Sequence, residues 1–151
     1  MLVFARMLCI MGGDFTAERH VFTHLTPESI RPPFARYSHG VEVPEGMRLV
    51  LVSGQLGIAP DDAVPADTAA QARLCFANIE AVLKEAGMGL SDIVRINAYV
   101  TGREHLKPYM AVRDELFAEP APASTLMIVS GFAREAFTVE IEAVAAGPAR
   151  T

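Results

Sequence analysis

The chain has 151 residues, 51% of them hydrophobic and 21% charged, the make-up of one compact domain with a packed core. Its formal net charge is −5 at pH 7 and no basic run interrupts it, so it lacks the electrostatic footprint of a nucleic-acid binder. Cys9 and Cys75 stand far apart with no CxxC or Cys/His spacing, which argues against a zinc site or a disulfide framework and points to a reducing cytoplasm.

The opening segment "MLVFARMLCIMGGD" is too short for a membrane span, and no basic region precedes its apolar run. Residues 1–15 read as an N-terminal extension or a misplaced start, with Met7 and Met11 as later start positions, and residues 16–151 as a single domain. Residues 20–25 (HVFTHL) alternate weakly and predict a first strand. His20 and His24 have HxxxH spacing, but two rings on a strand need not converge, so no metal site is expected. A proline-rich loop follows, then residues 48–55 (RLVLVSGQ), whose four apolar residues in a row predict a strand buried on both faces.

The clearest helix runs over residues 68–86. Thr68 and Gln71 have capping-box spacing, Asp67 is a rival cap, and Gly87 supplies the stop. Ala72, Cys75, Phe76, Ile79, Val82, Leu83 and Ala86 form one apolar stripe, and Glu80 and Lys84 pair on the far side. Cys75 lies in that stripe, as a buried structural thiol rather than a nucleophile. Residues 92–100 predict a strand with Val94, Ile96, Ala98 and Val100 on one face and Arg95, Asn97 and Tyr99 on the other. A second helix follows over residues 108–119, opened by Pro108. Two strands end the chain, at residues 125–129 and 137–145.

This order is an α+β layout, one mixed sheet of about six strands with two helices on one face. Two helices cover one face only, yet "LVLV" and "LMIV" are apolar on both, so a further copy of the chain is the expected cover. On the last strand Glu140 and Glu142 share the face opposite Val139 and Ile141, toward that expected interface. A carboxylate there needs a cation, hydrogen bonds or a chemical purpose, and Arg95 is the cross-strand partner the pattern offers.

Taken together, "ARYSHG", "VSGQLG", "QARLCFANIEAVLKEAG", "SDIVRINAYV" and "VEIEAVA" resemble the RidA family, also called YjgF or L-PSP, over residues 33–146. The resemblance implies a chorismate-mutase-like fold, a homotrimer with ligand clefts between subunits, and hydrolysis of enamines and imines such as 2-aminoacrylate without metal or cofactor. In such enzymes an arginine holds the substrate carboxylate and a glutamate handles water. Carried over by position, Glu140 is the catalytic glutamate, and Tyr37, Ser53 and Gly54 line the substrate site.

Three positions depart from the family pattern. Ser124 stands where the "PARS" arginine would be, Leu126 replaces a frequent cysteine, and Met110 falls where many members carry asparagine. Arg36, His39 and Arg134 are the nearby cations that could stand in, each reading first as a solvated loop charge. Ser124 has no base placed in sequence to activate it. The expectation is therefore an imine or enamine hydrolase with an altered substrate range, set against a non-catalytic ligand-binding or regulatory trimer. A small molecule is the expected partner, with neither nucleic acid nor membrane.

Overall fold

The computed structural model describes residues 22–149; the expectations for residues 1–15 and for His20 lie outside them. A short hairpin comes first, β1 (Thr23–Leu25) against β2 (Gly40–Glu42). The main chain of elements is then β3 (Arg48–Leu56), α1 (Thr68–Glu85), β4 (Ile93–Val100), α2 (Leu106–Leu116), β5 (Ala123–Ile128) and β6 (Val139–Gly147). The last four strands form a mixed sheet in the order β3-β6-β4-β5, with β4 and β5 parallel and the other pairs antiparallel. This is the α+β architecture the sequence pattern predicts. Its six strands divide into a hairpin and a four-stranded sheet, linked by a parallel bridge between Ser38 and Ala123 and by bonds from Ser38 to Ala121 and Pro122.

Both helices pack on one face. Ala72, Cys75, Phe76, Ile79 and Leu83 of α1 are buried against Ile96, Ala98 and Val100 of β4 and Val139, Ile141 and Ala143 of β6. Val82, placed in the stripe by its spacing, turns out half exposed at the stripe's margin. Helix α1 ends in a Schellman motif: Gly87 takes φ 69°, its N–H donates to the Lys84 carbonyl, and the Met88 N–H donates to Leu83. At the other end Asp67 wins the cap, accepting from the Ala70 N–H at 2.9 Å.

Thr68 and Gln71 are not spent on that cap because the core uses them. Gln71 is fully buried and donates to the carbonyls of Pro65 and Ala136 at 2.8 Å. Its Oε1 accepts from the Thr138 N–H at 2.9 Å. Thr68 Oγ1 meets the Thr138 hydroxyl at 2.9 Å and His105 Nδ1 at 2.6 Å. The start of β6 is thus tied to the first turns of α1 by side chains.

Helix α2 begins earlier than Pro108 predicts, because a 3-10 turn at Arg103–His105 runs into it and leaves Pro108 in the first turn. It stops at Leu116, and Phe117 turns inward onto Phe76 with ring centroids 5.4 Å apart. Strand β3 lies at the sheet edge, and within the single chain it is covered on one face: Val52 is buried while Leu51 is 75% exposed and Leu49 54%. Among the described residues nothing packs over the sheet face away from the helices.

The Gln71 network yields a direct test. Gln71→Leu leaves the Thr138 N–H and two carbonyls without partners in the interior, and should cost roughly 2–4 kcal/mol in urea unfolding. A loss below about 1 kcal/mol would mean that water replaces these bonds and that they do not hold β6 to α1.

Candidate functional site

Strand alternation sorts the candidate residues before any side chain is considered. Ser124 pairs across the sheet with Ile96, and Leu126 with Ala98, so both face the helices. Thr125 pairs with Asn97, which pairs with Glu142, and Tyr99 pairs with Glu140, so all of these face the open side. Ser124 and Glu140 therefore lie on opposite faces of one sheet.

On the helix side, Ser124 and Leu126 join Met110 of α2 and Tyr37 of the loop before β2 around a cavity of about 230 Å³. Phe34, 82% exposed, stands at its wall with the Arg31 guanidinium 3.8 Å from its ring centroid. Tyr37 is held edge-on to His39, and it also lines a wider hollow under the hairpin together with His24 and Ser38. The wall of that hollow is tied together by side chains: Ser38 Oγ donates to the Ala121 carbonyl at 2.6 Å, and His24 Nδ1 lies 2.9 Å from the same hydroxyl.

The open face carries the carboxylates. Glu142 Oε1 accepts from Asn97 Nδ2 at 2.8 Å and from the Tyr99 hydroxyl at 3.0 Å. Burial first, then that bond and the charges of both glutamates, raise the Tyr99 phenol above its ordinary pKa, so it stays a donor. The cross-strand ion pair open to Arg95 is not formed; Arg95 Nη2 donates instead to Thr125 Oγ1 at 3.0 Å. The Glu140 carboxylate takes no hydrogen bond from the described residues. Its carboxyl group lies over Gly54, where a Cβ would overlap Oε1 and come within 2.8 Å of the carboxyl carbon. The β3–β6 register shifts between Val52 and Gln55, so Ser53 and Gly54 form an irregularity that lets this side chain lie across the strand. Ser53 itself lines a shallow hollow beside Asn97 and Glu142.

The arrangement can be set against known proteins. The family model described as "Endoribonuclease L-PSP" matches residues 28–147. The chain belongs to the RidA (YjgF/L-PSP) superfamily. It is 30% identical over 131 residues to a RutC family protein of Pyrococcus abyssi, covering 85% of this chain and 97% of that one. It is also 30% identical over 129 residues to a 2-iminobutanoate/2-iminopropanoate deaminase of Escherichia coli K12, covering 83% and 94%. Among solved structures, a Rid-family protein of unknown function from Yersinia pestis superposes with a TM-score of 0.72 at 29% identity, over 82% of this chain and 97% of that one.

Within this RidA-superfamily chain, four expected residues gather in one cavity, Tyr37, Met110, Ser124 and Leu126, while Gly54 and Glu140 meet on the opposite face. The three cations that the sequence offers near the site, Arg36, His39 and Arg134, have partners elsewhere. Arg36 donates to the Asp114 carbonyl at 2.8 Å and sits 3.6 Å from Glu119, His39 Nε2 meets the Arg31 carbonyl, and Arg134 lies over Phe137. The cation that does line the cavity is one sequence reasoning passed over: Arg113, only 4% exposed. It follows Met110 by three residues and so shares its helix face, the one signal that could have found it.

Cys75 is buried, and burial first, with the Glu140 charge adding to it, pushes its thiol up to about 12, the mark of an unreactive structural residue.

The contact between Gly54 and Glu140 can be measured by a double-mutant cycle. Gly54→Ala should cost about 1–3 kcal/mol by overpacking, and Glu140→Ala in the same chain should relieve at least about 1 kcal/mol of it. Additive effects would show that the carboxyl group does not lie over Gly54.

Proposed function

We propose that the protein hydrolyses small imines or enamines, in clefts completed between the subunits of a homotrimer, with a substrate range shifted from that of the deaminases it is similar to. One observation carries this reading: of two glutamates on the same face of β6, Glu142 is engaged twice while Glu140 is framed by a glycine and left without a hydrogen bond from the described residues. A carboxylate so placed can hold a water molecule. In the reaction, that water adds to the C=N carbon of the protonated imine and gives a proton to Glu140. The resulting amino alcohol then collapses to a carbonyl as the carbon–nitrogen bond breaks, and the proton leaves with ammonia. An enamine enters the same course after protonation at carbon. No cofactor is needed for these steps.

The oligomer is part of the proposal because the cavity around Ser124 and the Glu140 carboxylate occupy opposite faces of one sheet, and a cleft holding both needs two chains. The exposed Leu49 and Leu51, across from Ala146 and Val144 on the same face as Glu140, supply apolar surface for that contact. The substrate range is taken to differ because Ser124 offers a neutral hydroxyl where the family pattern has an arginine. The word endoribonuclease in the family's description finds no support in a chain of net charge −5.

A second reading rests on that same Ser124: a trimer that binds a small ligand without turning it over. Glu140→Gln separates the two. It keeps size and hydrogen bonding but cannot take a proton, and should reduce imine hydrolysis by a hundredfold or more with little change in melting temperature. Glu142→Gln should instead lower the melting temperature, because its two donors lose a charged acceptor. Imines generated by an amino-acid oxidase and timed with and without the protein provide the assay. An unmodified protein with no turnover but clear ligand-induced stabilisation would favour the binder.

Sedimentation at low micromolar concentration should give three chains per particle. A stable monomer would remove the shared cleft, and with it the proposed use of Glu140.

A further inference from the structure

His24 is held by one edge of its ring. Its Nδ1 lies 2.9 Å from Ser38 Oγ and 3.1 Å from the Ala121 carbonyl, and Ser38 Oγ is itself 2.6 Å from that carbonyl. A carbonyl only accepts, so the serine spends its single hydrogen on it, and Nδ1 carries a hydrogen that the two oxygens share. The other tautomer would set the Nδ1 lone pair against those of the carbonyl. The Ser38 N–H, donating to the Pro122 carbonyl at 3.2 Å, holds the serine in place for this arrangement. In the neutral ring Nε2 is then a bare lone pair. It takes no bond from the described residues and it is not buried.

The same ring lines a cavity of about 290 Å³ between the hairpin, the turn at Leu90–Asp92 ahead of β4, and the segment linking α2 to β5. That volume falls at the lower end of the range of small-molecule sites. The walls are apolar, from Phe22, Leu90, Ile93, Leu116, Phe117 and Pro120. No residue that lines this cavity lines the one around Ser124. Its polar side chains are His24, Ser91 and Glu119, and Glu119 is 75% exposed with Arg36 3.6 Å away.

We infer that this cavity is a second binding site, for a small neutral aromatic molecule carrying a hydroxyl group, whose O–H donates to His24 Nε2. The lining selects against the other classes. A carboxylate brings only acceptors, and it would meet the Nε2 lone pair and the Glu119 charge. An ammonium ion would give up its hydration to apolar walls, with the one carboxylate at the rim already beside Arg36. A plain hydrocarbon would fill the space but cover Nε2 without a partner. A flat ring suits walls that include two phenylalanines and a proline. This inference stands apart from imine hydrolysis, because it concerns a different cavity.

The test uses the full chain and two probes of matched shape, 4-methylphenol and p-xylene, in which a methyl group replaces the hydroxyl. Calorimetry should show the phenol binding roughly tenfold more tightly. Nitrogen-15 spectra of the imidazoles should show His24 protonated on Nδ1 in the free protein, with the Nε2 resonance moving as the phenol binds. His24→Phe should erase the preference between the probes. Leu116→Trp, from a side chain 37% exposed at the cavity wall, should block both probes and leave imine hydrolysis unchanged. If His24→Phe fails to fold, Leu116→Trp and the Nε2 resonance decide. A proton found on Nε2 of the neutral ring, or equal affinity for the two probes, overturns the inference. So does the failure of both to bind, as when residues of the chain ahead of Phe22 fill the cavity.

Discussion

Side chains alternate along β6, and the sheet has two helices to cover two faces; together these facts govern the rest of the molecule. Val139, Ile141 and Ala143 go to the helices and build the core, which forces Glu140 and Glu142 to the face that none of the described residues covers. Register leaves no intermediate choice, because a slip of one residue would bury both carboxylates and expose the core. The strands beside β6 obey the same division. Asn97 and Tyr99 turn to meet Glu142, while Ser124 and Leu126 turn toward α2.

The open face combines features that usually exclude each other, two leucines of β3 in the open beside a row of polar groups with defined partners. A purely solvated face would not carry Leu51, and a purely structural interface would not retain an unengaged Glu140. Apolar and ionic groups fit together on one surface when the apolar part makes contact and the ionic part borders a cavity. The irregularity at Ser53 and Gly54 falls at that border, where the β3–β6 ladder is interrupted and backbone space opens.

Local signals settled the elements whose shape depends on local physics. The α1 stripe and its glycine stop were legible because periodicity and a left-handed C-terminal residue are written into adjacent positions. The cap was less so: Asp67, Thr68 and Gln71 all offered oxygens, and the choice fell to Asp67 because Thr138 and His105 claim the other two from 37 residues or more away. The apolar run of β3 calls for cover on both faces, and the helices supply it on one only, at Val52, while Leu49 and Leu51 stand exposed on the other. In the site, Tyr37, Met110 and Ser124 lie on three separate segments, so their meeting could be reached only through family likeness. Arg113 escaped notice because an arginine on a helix ordinarily points to water. It lines one cavity with Phe34 and Tyr37 of a distant loop and Ser124 of β5, a neighbourhood that no helical pattern records.

The side-chain bonds of Gln71 also isolate one part of the chain mechanically from another. Gly57 lets the end of β3 approach so closely that a Cβ there would stand 2.6 Å from Gln71 Cα, and Gln71 in turn holds the Thr138 N–H two residues ahead of Glu140. The position of the carboxylate is therefore referenced to helix α1 and strand β3, not to the turn that leads into β6. Residues 130–135, exposed for the most part and held to β6 by few bonds, are free to change length or composition without shifting Glu140 along its strand. The site tolerates variation at its nearest loop because its coordinates are fixed from the interior.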